Sequence, residues 1–259
     1  MTQDLARDVQ EADLRTEAAL PELQPSQRWV RVQFNDSYVA DSKHVLLHRV
    51  GHRLTYYFPK SDVRTEWLSE GRQEEDGRQF YDLTIGDAVA EEAAWSFADA
   101  DEAHLPLHDH IAFDWRKMDH WYEEEEEVFV HPRDPYHRID AMASSRQVKV
   151  VIDGVTVAES GRPLLVFETG LPIRYYLPKD DVRVDLLEES KARTGCPYKG
   201  FASYWHVTVN GEQHRNIVWC YEEPFDKNNS IKGLLCFYNE KVDLYVDGQR
   251  EERPETPWS

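Results

Sequence analysis

Cysteine is scarce in this 259-residue chain, with three residues at 196, 220 and 236. That is too few for a disulfide framework, and the paired spacing of a cysteine-built zinc site is missing. No apolar run approaches the ~20 residues of a membrane-spanning helix, and the opening stretch MTQDLARDVQEADLRTEAAL has no secretory apolar core. Positive charge is also short: 30 Lys and Arg against 49 Asp and Glu leave a net charge of −19. A field of that sign repels phosphate backbones and anionic lipid, so a broad nucleic-acid or membrane-binding surface is disfavoured. These absences point to a reduced, cytoplasmic, soluble protein, with room for a local basic pocket and for a homo-oligomer.

What is abundant is aromatic surface, with eight Trp and thirteen Tyr. So much of it needs burial, which excludes a mostly disordered chain. The chain also repeats itself. WVRVQFNDSYVADS (29–42) aligns with QVKVVIDGVTVAES (147–160), so that Val30, Val32 and Phe34 match Val148, Val150 and Ile152. Each block alternates apolar and polar residues and then meets Asn35-Asp36 or Asp153-Gly154, the pattern of a tight β-hairpin. YYFPKSDVR (56–64) aligns with YYLPKDDVR (175–183). There Ser61 and Asp180 occupy one position and are expected to cap short helical segments around Trp67-Leu68 and Leu186-Leu187. FYDLTIGD (80–87) matches YWHVTVNG (204–211), the return strands carry Trp95 and Trp219, and FDWRKMDHW (113–121) matches FYNEKVDLY (237–245).

Four blocks in one order predict a mainly β protein of two tandem small antiparallel domains, barrel- or tent-like, each with one short helix. The expected boundaries are an N-terminal extension over 1–27, helical with Leu5, Val9 and Ala12 on one side, and a first domain over 28–130. A proline-containing linker over 131–145, a second domain over 146–250 and a mobile tail over 251–259 complete the chain.

Together VADS (39–42), VAES (157–160), ETGLPIRYYLPKDDVR (168–183), CPYKG (196–200), HPRDPY (131–136) and the Trp95 and Trp219 strands resemble a bacterial family. It is the domain of unknown function numbered four-two-seven, here in tandem form and over about residues 28–248. The resemblance implies compact β-rich domains. The family is sometimes labelled a nucleotidyltransferase, but the resemblance carries no established activity.

The duplication serves as an internal control. TGCPYKG (194–200) falls opposite EEDGRQ (74–79), and Glu168 in FETG falls opposite Arg49 in HRVG, while Tyr56-Tyr57, Pro59 and Trp95 keep the scaffold. A site is therefore expected in the second copy. It would hold a small polar or aromatic molecule between Glu168, Tyr175, Lys199, Trp205, Trp219 and Tyr221. Lys199 would meet an anionic group and Glu168 a donor. Trp219 and Tyr221, two apart on a strand, share a face; core filling is the simpler role for Trp219, since Trp95 stands in the matching place.

Other readings stay open at this stage. One is a non-enzymatic interaction module in which Arg133, Asp134 and Arg138 fix the domains together. Another is an enzyme using Cys196 as nucleophile, with His206 its nearest histidine in sequence. Nucleotidyl transfer would need clustered carboxylates and a phosphate loop; no glycine-rich loop is present, and helix capping accounts better for Asp180-Asp181. His104, His108 and His110 in HLPLHDH are weak metal candidates because Pro106 prevents an ordinary helix. The run Glu123–Glu127 reads as a solvated acidic edge. The sequence names no cofactor and does not decide whether any reaction is catalysed.

Overall fold

The residues that alternate in sequence alternate in burial. Along Val148–Ile152, Val148, Val150 and Ile152 are buried while Lys149 and Val151 are half-buried, as a strand with one core face requires. The structure, a computed structural model, describes residues 22–51, 53–75, 77–97 and 105–259. The expected N-terminal helix, with Leu5, Val9 and Ala12, lies outside the described residues.

The chain divides into two compact units between Glu127 and Val128. In the first, a seven-stranded antiparallel sheet runs in the order Leu23–Pro25, Leu46–Val50, Arg53–Pro59, His110–Phe113, Ala88–Phe97, Arg78–Ile85, Leu68–Gln73. In the second, the order is Ile139–Ala143, Leu164–Glu168, Arg174–Leu177, Leu235–Phe237, Glu212–Cys220, Gly200–Val209, Leu187–Cys196. The two lists correspond strand for strand. Each unit adds a four-stranded sheet: Glu126–Glu127, His120–Glu123, Val30–Phe34, Ser37–Ser42 in the first, and Gln249–Arg250, Asp243–Val246, Val148–Ile152, Val155–Ser160 in the second. The large sheets keep open edges, so neither unit is a closed barrel; each is a pair of sheets around a shared core.

The cores draw on both sheets of a unit. Val30, Val32 and Val39 pack with Tyr56, Phe58 and Leu83, and Val148, Val150 and Val157 pack with Leu177, Val207 and Val218. Turn chemistry recurs as well. Asn35 and Asp36 both take left-handed φ (45° and 58°), as do Asp153 and Gly154 (47° and 79°), the conformation that matches hairpin twist. A bulge in each second hairpin is marked by Glu92 (φ 49°) and by Asn216 (φ 53°).

Several expectations are corrected. The short helix is two three-residue 3₁₀ turns in each unit, Lys60–Asp62 and Thr65–Trp67, then Lys179–Asp181 and Val184–Leu186. Between them Val63 and Val182 are extended and bridge Ala40 and Ala158 of the small sheets, which interrupts the helix. Ser61 and Asp180 are not caps: Pro59 and Pro178 stand at the N-cap with no side-chain cap bond. The polar tie belongs to the next residue, because Ser42 Oγ donates to Asp62 at 2.6 Å and Ser160 Oγ donates to Asp181 at 2.7 Å.

The segment 131–145, read as a linker, contains the edge strand Ile139–Ala143, paired with Leu164–Glu168. Its counterpart Leu23–Pro25 lies in the stretch assigned to the N-terminal extension. The tail read as mobile is tied down: Arg253 meets Asp243 at 2.9 Å, Thr256 Oγ1 donates to Glu240 at 2.6 Å, and Arg174 lies 5.7 Å from the Trp258 ring. The acidic run also has partners. Glu123 is buried and accepts from Tyr56 Oη and Arg28, both at 2.8 Å, Glu125 pairs with Arg31 at 3.2 Å, and Glu127 with His120 at 2.6 Å. Among the described residues no helix is long and apolar enough to cross a membrane.

Leu83 and Leu177, both with no exposed surface, occupy the two cores. Leu83→Ala and Leu177→Ala are each expected to cost about 2–5 kcal/mol of stability, from lost burial plus the cavity left behind. Urea unfolding of each variant, with its transitions fitted separately, measures this.

Candidate functional site

TGCPYKG closes the longest hairpin of the second unit. Cys196 pairs with Gly200, leaving Pro197-Tyr198-Lys199 as a three-residue loop. Gly200 sits at φ +107°, and a side chain there would meet Glu223 O at 3.3 Å. Glycine is therefore needed both for the turn and for the close passage of 223–225. Two segments clamp the loop. From one side Phe225 N donates to Lys199 O at 3.1 Å and Asn228 Nδ2 to Tyr198 O at 2.8 Å. From the other, Arg133 Nε donates to Pro197 O at 3.2 Å, Asp134 N donates to Tyr198 Oη at 2.7 Å, and the Tyr198 ring stacks on His137 with centroids 4.2 Å apart. Arg133 and Asp134 thus hold the loop of their own unit.

So clamped, Lys199 is buried, and its ammonium pairs with Glu168 at the end of strand Leu164–Glu168. Glu168 accepts a second bond from His137 Nε2 at 3.0 Å. Since a carboxylate only accepts, that nitrogen carries the proton. Burial disfavours the Glu168 carboxylate, but the His137 hydrogen bond and the Lys199 charge outweigh it and hold its pKa below the ordinary value. Burial pushes the Cys196 thiol up, and the nearby Lys199 ammonium only partly offsets this. Cys196 is consequently a thiol at neutral pH, which is the wrong form for a nucleophile. His206 gives it no base, because its Nδ1 accepts from Asn216 N at 3.0 Å.

Strand alternation sorts the aromatic candidates. Trp219 and Tyr221 share a face, as their spacing predicts, with Tyr176, Tyr204 and Cys196 packed beside them. Tyr175 and Trp205 are on the opposite face, in the core between the sheets, so the structure does not bring them to Glu168 and Lys199. Adjacent residues of a strand point to opposite sides, and the inward place next to Tyr176 falls to Tyr175. Trp219 Nε1 donates to Tyr176 Oη at 3.1 Å, with the rings edge-on at 6.2 Å and 89°. The first unit repeats this pair: Trp95 Nε1 donates to Tyr57 Oη at 3.1 Å, at 6.4 Å and 88°. The Trp–Tyr pair is therefore scaffold.

Two features were missed in the sequence. His137 lay in the supposed linker, with no signal in the repeat to single it out. Arg174 and Glu240 form a buried bidentate pair at 2.8 and 2.7 Å, with the guanidinium 5.5 Å from Trp219 and 5.9 Å from Tyr238. Their signal was available: Arg174 stands before Tyr175-Tyr176 where Thr55 stands before Tyr56-Tyr57, and Glu240 aligns with Arg116.

The metal candidates do not assemble. His104 lies outside the described residues. His108 is exposed beside Asp109 at 3.2 Å, and His110 is half-buried, its pKa lowered by burial, with Nδ1 unpartnered. Elsewhere Asp153, Glu212 and His214 offer ligand atoms within 4.8 Å of one another. Asp153 lies on a turn and Glu212 and His214 at the start of the strand Glu212–Cys220, where His214 pairs with Asp153 at 2.7 Å. Asp181 is engaged by Ser160 and by Arg162 at 3.1 Å, and Asp180 is exposed.

Two outcomes follow from these protonation states. Iodoacetamide at pH 7 is expected to label Cys196 in the folded protein at least about tenfold more slowly than in the urea-unfolded chain, followed by mass spectrometry. A lowered carboxylate pKa stabilises the fold above the unfolded value and loses that contribution as pH falls through the folded one. The stability difference between wild type and Glu168→Gln should thus be full at pH 7 and close as the pH falls below the ordinary carboxylate range and through the lowered folded-state pKa, as measured by denaturant titrations across pH.

A family described as "Domain of unknown function (DUF427)", whose sequence model is named NTP_transf_9, matches the chain twice, over residues 22–124 and 140–248. No curated protein matches the chain. The two matched stretches begin at the two edge strands and include both sheets of each unit, and the chain belongs to the DUF427 family, in a tandem form.

Proposed function

We propose that the second unit is a binding domain for a small polar molecule, held at the Glu168–Lys199 pair on the outer face of its large sheet, and that the first unit keeps the scaffold without the site. One observation carries this reading. Lys199 is 8% exposed, yet among the described residues its three N–H donors have the single side-chain acceptor Glu168. A buried ammonium with donors unspent is costly unless something accepts from it. His137 bonds to Glu168, and Cys196, Tyr176, Trp219 and Tyr221 pack together on the same face, from three strands and the residue that follows one of them. The matching face of the first unit carries Tyr57, Trp95 and Phe97; strand register corrects the sequence match and puts Val50, not Arg49, where Glu168 stands.

The cytoplasmic setting suggested by composition suits such a domain. Nucleotidyl transfer gains no support, since Asp181 is engaged structurally and Asp180 faces solvent. Cysteine catalysis is disfavoured by the raised thiol pKa.

The test is thermal unfolding of wild type and Glu168→Gln against nucleotides, amino acids, sugar phosphates and organic acids, with and without Mg²⁺. A ligand at a hundred times its dissociation constant adds roughly 2.7 kcal/mol, which raises the melting temperature of the second unit by several degrees. A shift seen in wild type and lost in the variant is expected. The absence of a shift with every compound would return the pair to a purely structural role.

A further inference from the structure

The sheet face that holds the Glu168–Lys199 pair has a second group with unspent hydrogen-bonding capacity. Tyr221 is 6% exposed, and its hydroxyl has no hydrogen-bond partner among the described residues. It lies within electrostatic reach of Glu168, Cys196, Tyr176 and Tyr204. Tyr176, 1% exposed, accepts from Trp219 Nε1, and its own proton has no acceptor among the described residues. In the first unit the position of Tyr221 is Phe97, which packs with Tyr57 without a hydroxyl. The fold therefore has no need of this hydroxyl. The second unit has added a hydroxyl on the sheet face that carries the Glu168–Lys199 pair, and that hydroxyl is not one of the fully buried unpartnered atoms, so it is open to a ligand.

The donor count selects a ligand class. Lys199 has two N–H bonds unspent, and Tyr221 and Tyr176 each have one O–H. A carboxylate accepts at about four lone-pair sites and donates nothing, whereas a carbonyl offers two. Charge narrows the choice further. Glu168 already balances the Lys199 charge, and the chain carries a net −19, so a dianion such as phosphate is repelled where a monoanion is tolerated. The groups flanking the hydroxyls are apolar or aromatic: Val166, Ala202, Trp219 and Ile231.

Building on the binding function argued above, we propose that the ligand is a monocarboxylate on a planar apolar body, its two oxygens taken by Lys199 Nζ and Tyr221 Oη. Tyr221 is then a specificity-determining residue, choosing an acceptor-only group. Tyr176 adds a donor and keeps its bond from Trp219.

The probes are benzoate, benzamide and phenyl phosphate, titrated by calorimetry into wild type, Tyr221→Phe and Lys199→Met. Phe97 already fills the matching position in the first unit, so Tyr221→Phe is expected to fold; Lys199→Met leaves Glu168 buried beside a neutral residue and is checked by circular dichroism first. Benzoate should bind wild type best, about tenfold or more weaker in Tyr221→Phe, as for a lost hydrogen bond to a charged group, and not detectably in Lys199→Met. Equal benzoate affinity in wild type and Tyr221→Phe would overturn the assignment of that hydroxyl. Preference for phenyl phosphate or benzamide would overturn the ligand class while leaving the binding site standing. A hit from the broader panel with none of the three probes would do the same, and silence from all compounds would overturn both.

Discussion

Each large sheet buries two faces, and only one of them has a second sheet to lie against. Side chains alternate along every strand, so a seven-stranded sheet that fills one core necessarily presents an equal set of side chains behind it. Arg174–Leu177 shows the constraint most sharply: all four of its residues are buried, Tyr175 and Leu177 toward the small sheet and Arg174 and Tyr176 away from it. What covers the second face decides what each unit becomes. In the first, Tyr57, Phe97, Leu107 and Ala112 form a small apolar cluster with Trp95. In the second, the loop 197–199, the segments 131–138 and 223–231, and the tail to Trp258 gather over it.

The second unit places charge in that cover. Glu168–Lys199 and Arg174–Glu240 are both buried ion pairs. Such pairs do about as well as apolar residues of the same shape and often worse, because two charges must leave water. The first unit, with the same strand order and the same Trp–Tyr hydrogen bond, has Val50, Thr55 and Arg116 at the positions that correspond to Glu168, Arg174 and Glu240. The fold therefore stands without these pairs. The Arg174–Glu240 pair has a structural use in the second unit, since Thr256 and Trp258 dock onto it and hold the tail. Glu168–Lys199 is tied through His137 to the segment 131–138, yet it leaves ammonium donors unspent on the sheet face that also carries the Tyr221 hydroxyl. A purely structural pair would be expected to satisfy them.

The Trp–Tyr pair separates scaffold from site in the same way. Trp95–Tyr57 and Trp219–Tyr176 agree in donor, distance and ring angle, so neither indole is a feature of one unit alone. Tyr221 and Phe97 differ by a single hydroxyl at an otherwise equivalent place. That hydroxyl joins the two ion pairs among the chemical differences between the copies.

The duplication, the mainly β class, the hairpin turns at Asn35-Asp36 and Asp153-Gly154 and the shared face of Trp219 and Tyr221 were all determined by sequence alone. They rest on local rules: a period of two, residues that tolerate left-handed backbone, and two copies to compare. Tertiary structure alone decided that Glu168 receives His137, that Tyr175 and Trp205 turn away from Lys199, that Asp62 and Asp181 rather than Ser61 and Asp180 carry the polar tie, and that Glu123 is buried against Tyr56 and Arg28. Those outcomes depend on which face of a sheet is covered and by which distant segment. A strand's own pattern separates its two faces without saying what will lie against either one. The edge strand Ile139–Ala143 shows the same limit, because its pairing with Leu164–Glu168 is long-range and leaves little mark on its own residues.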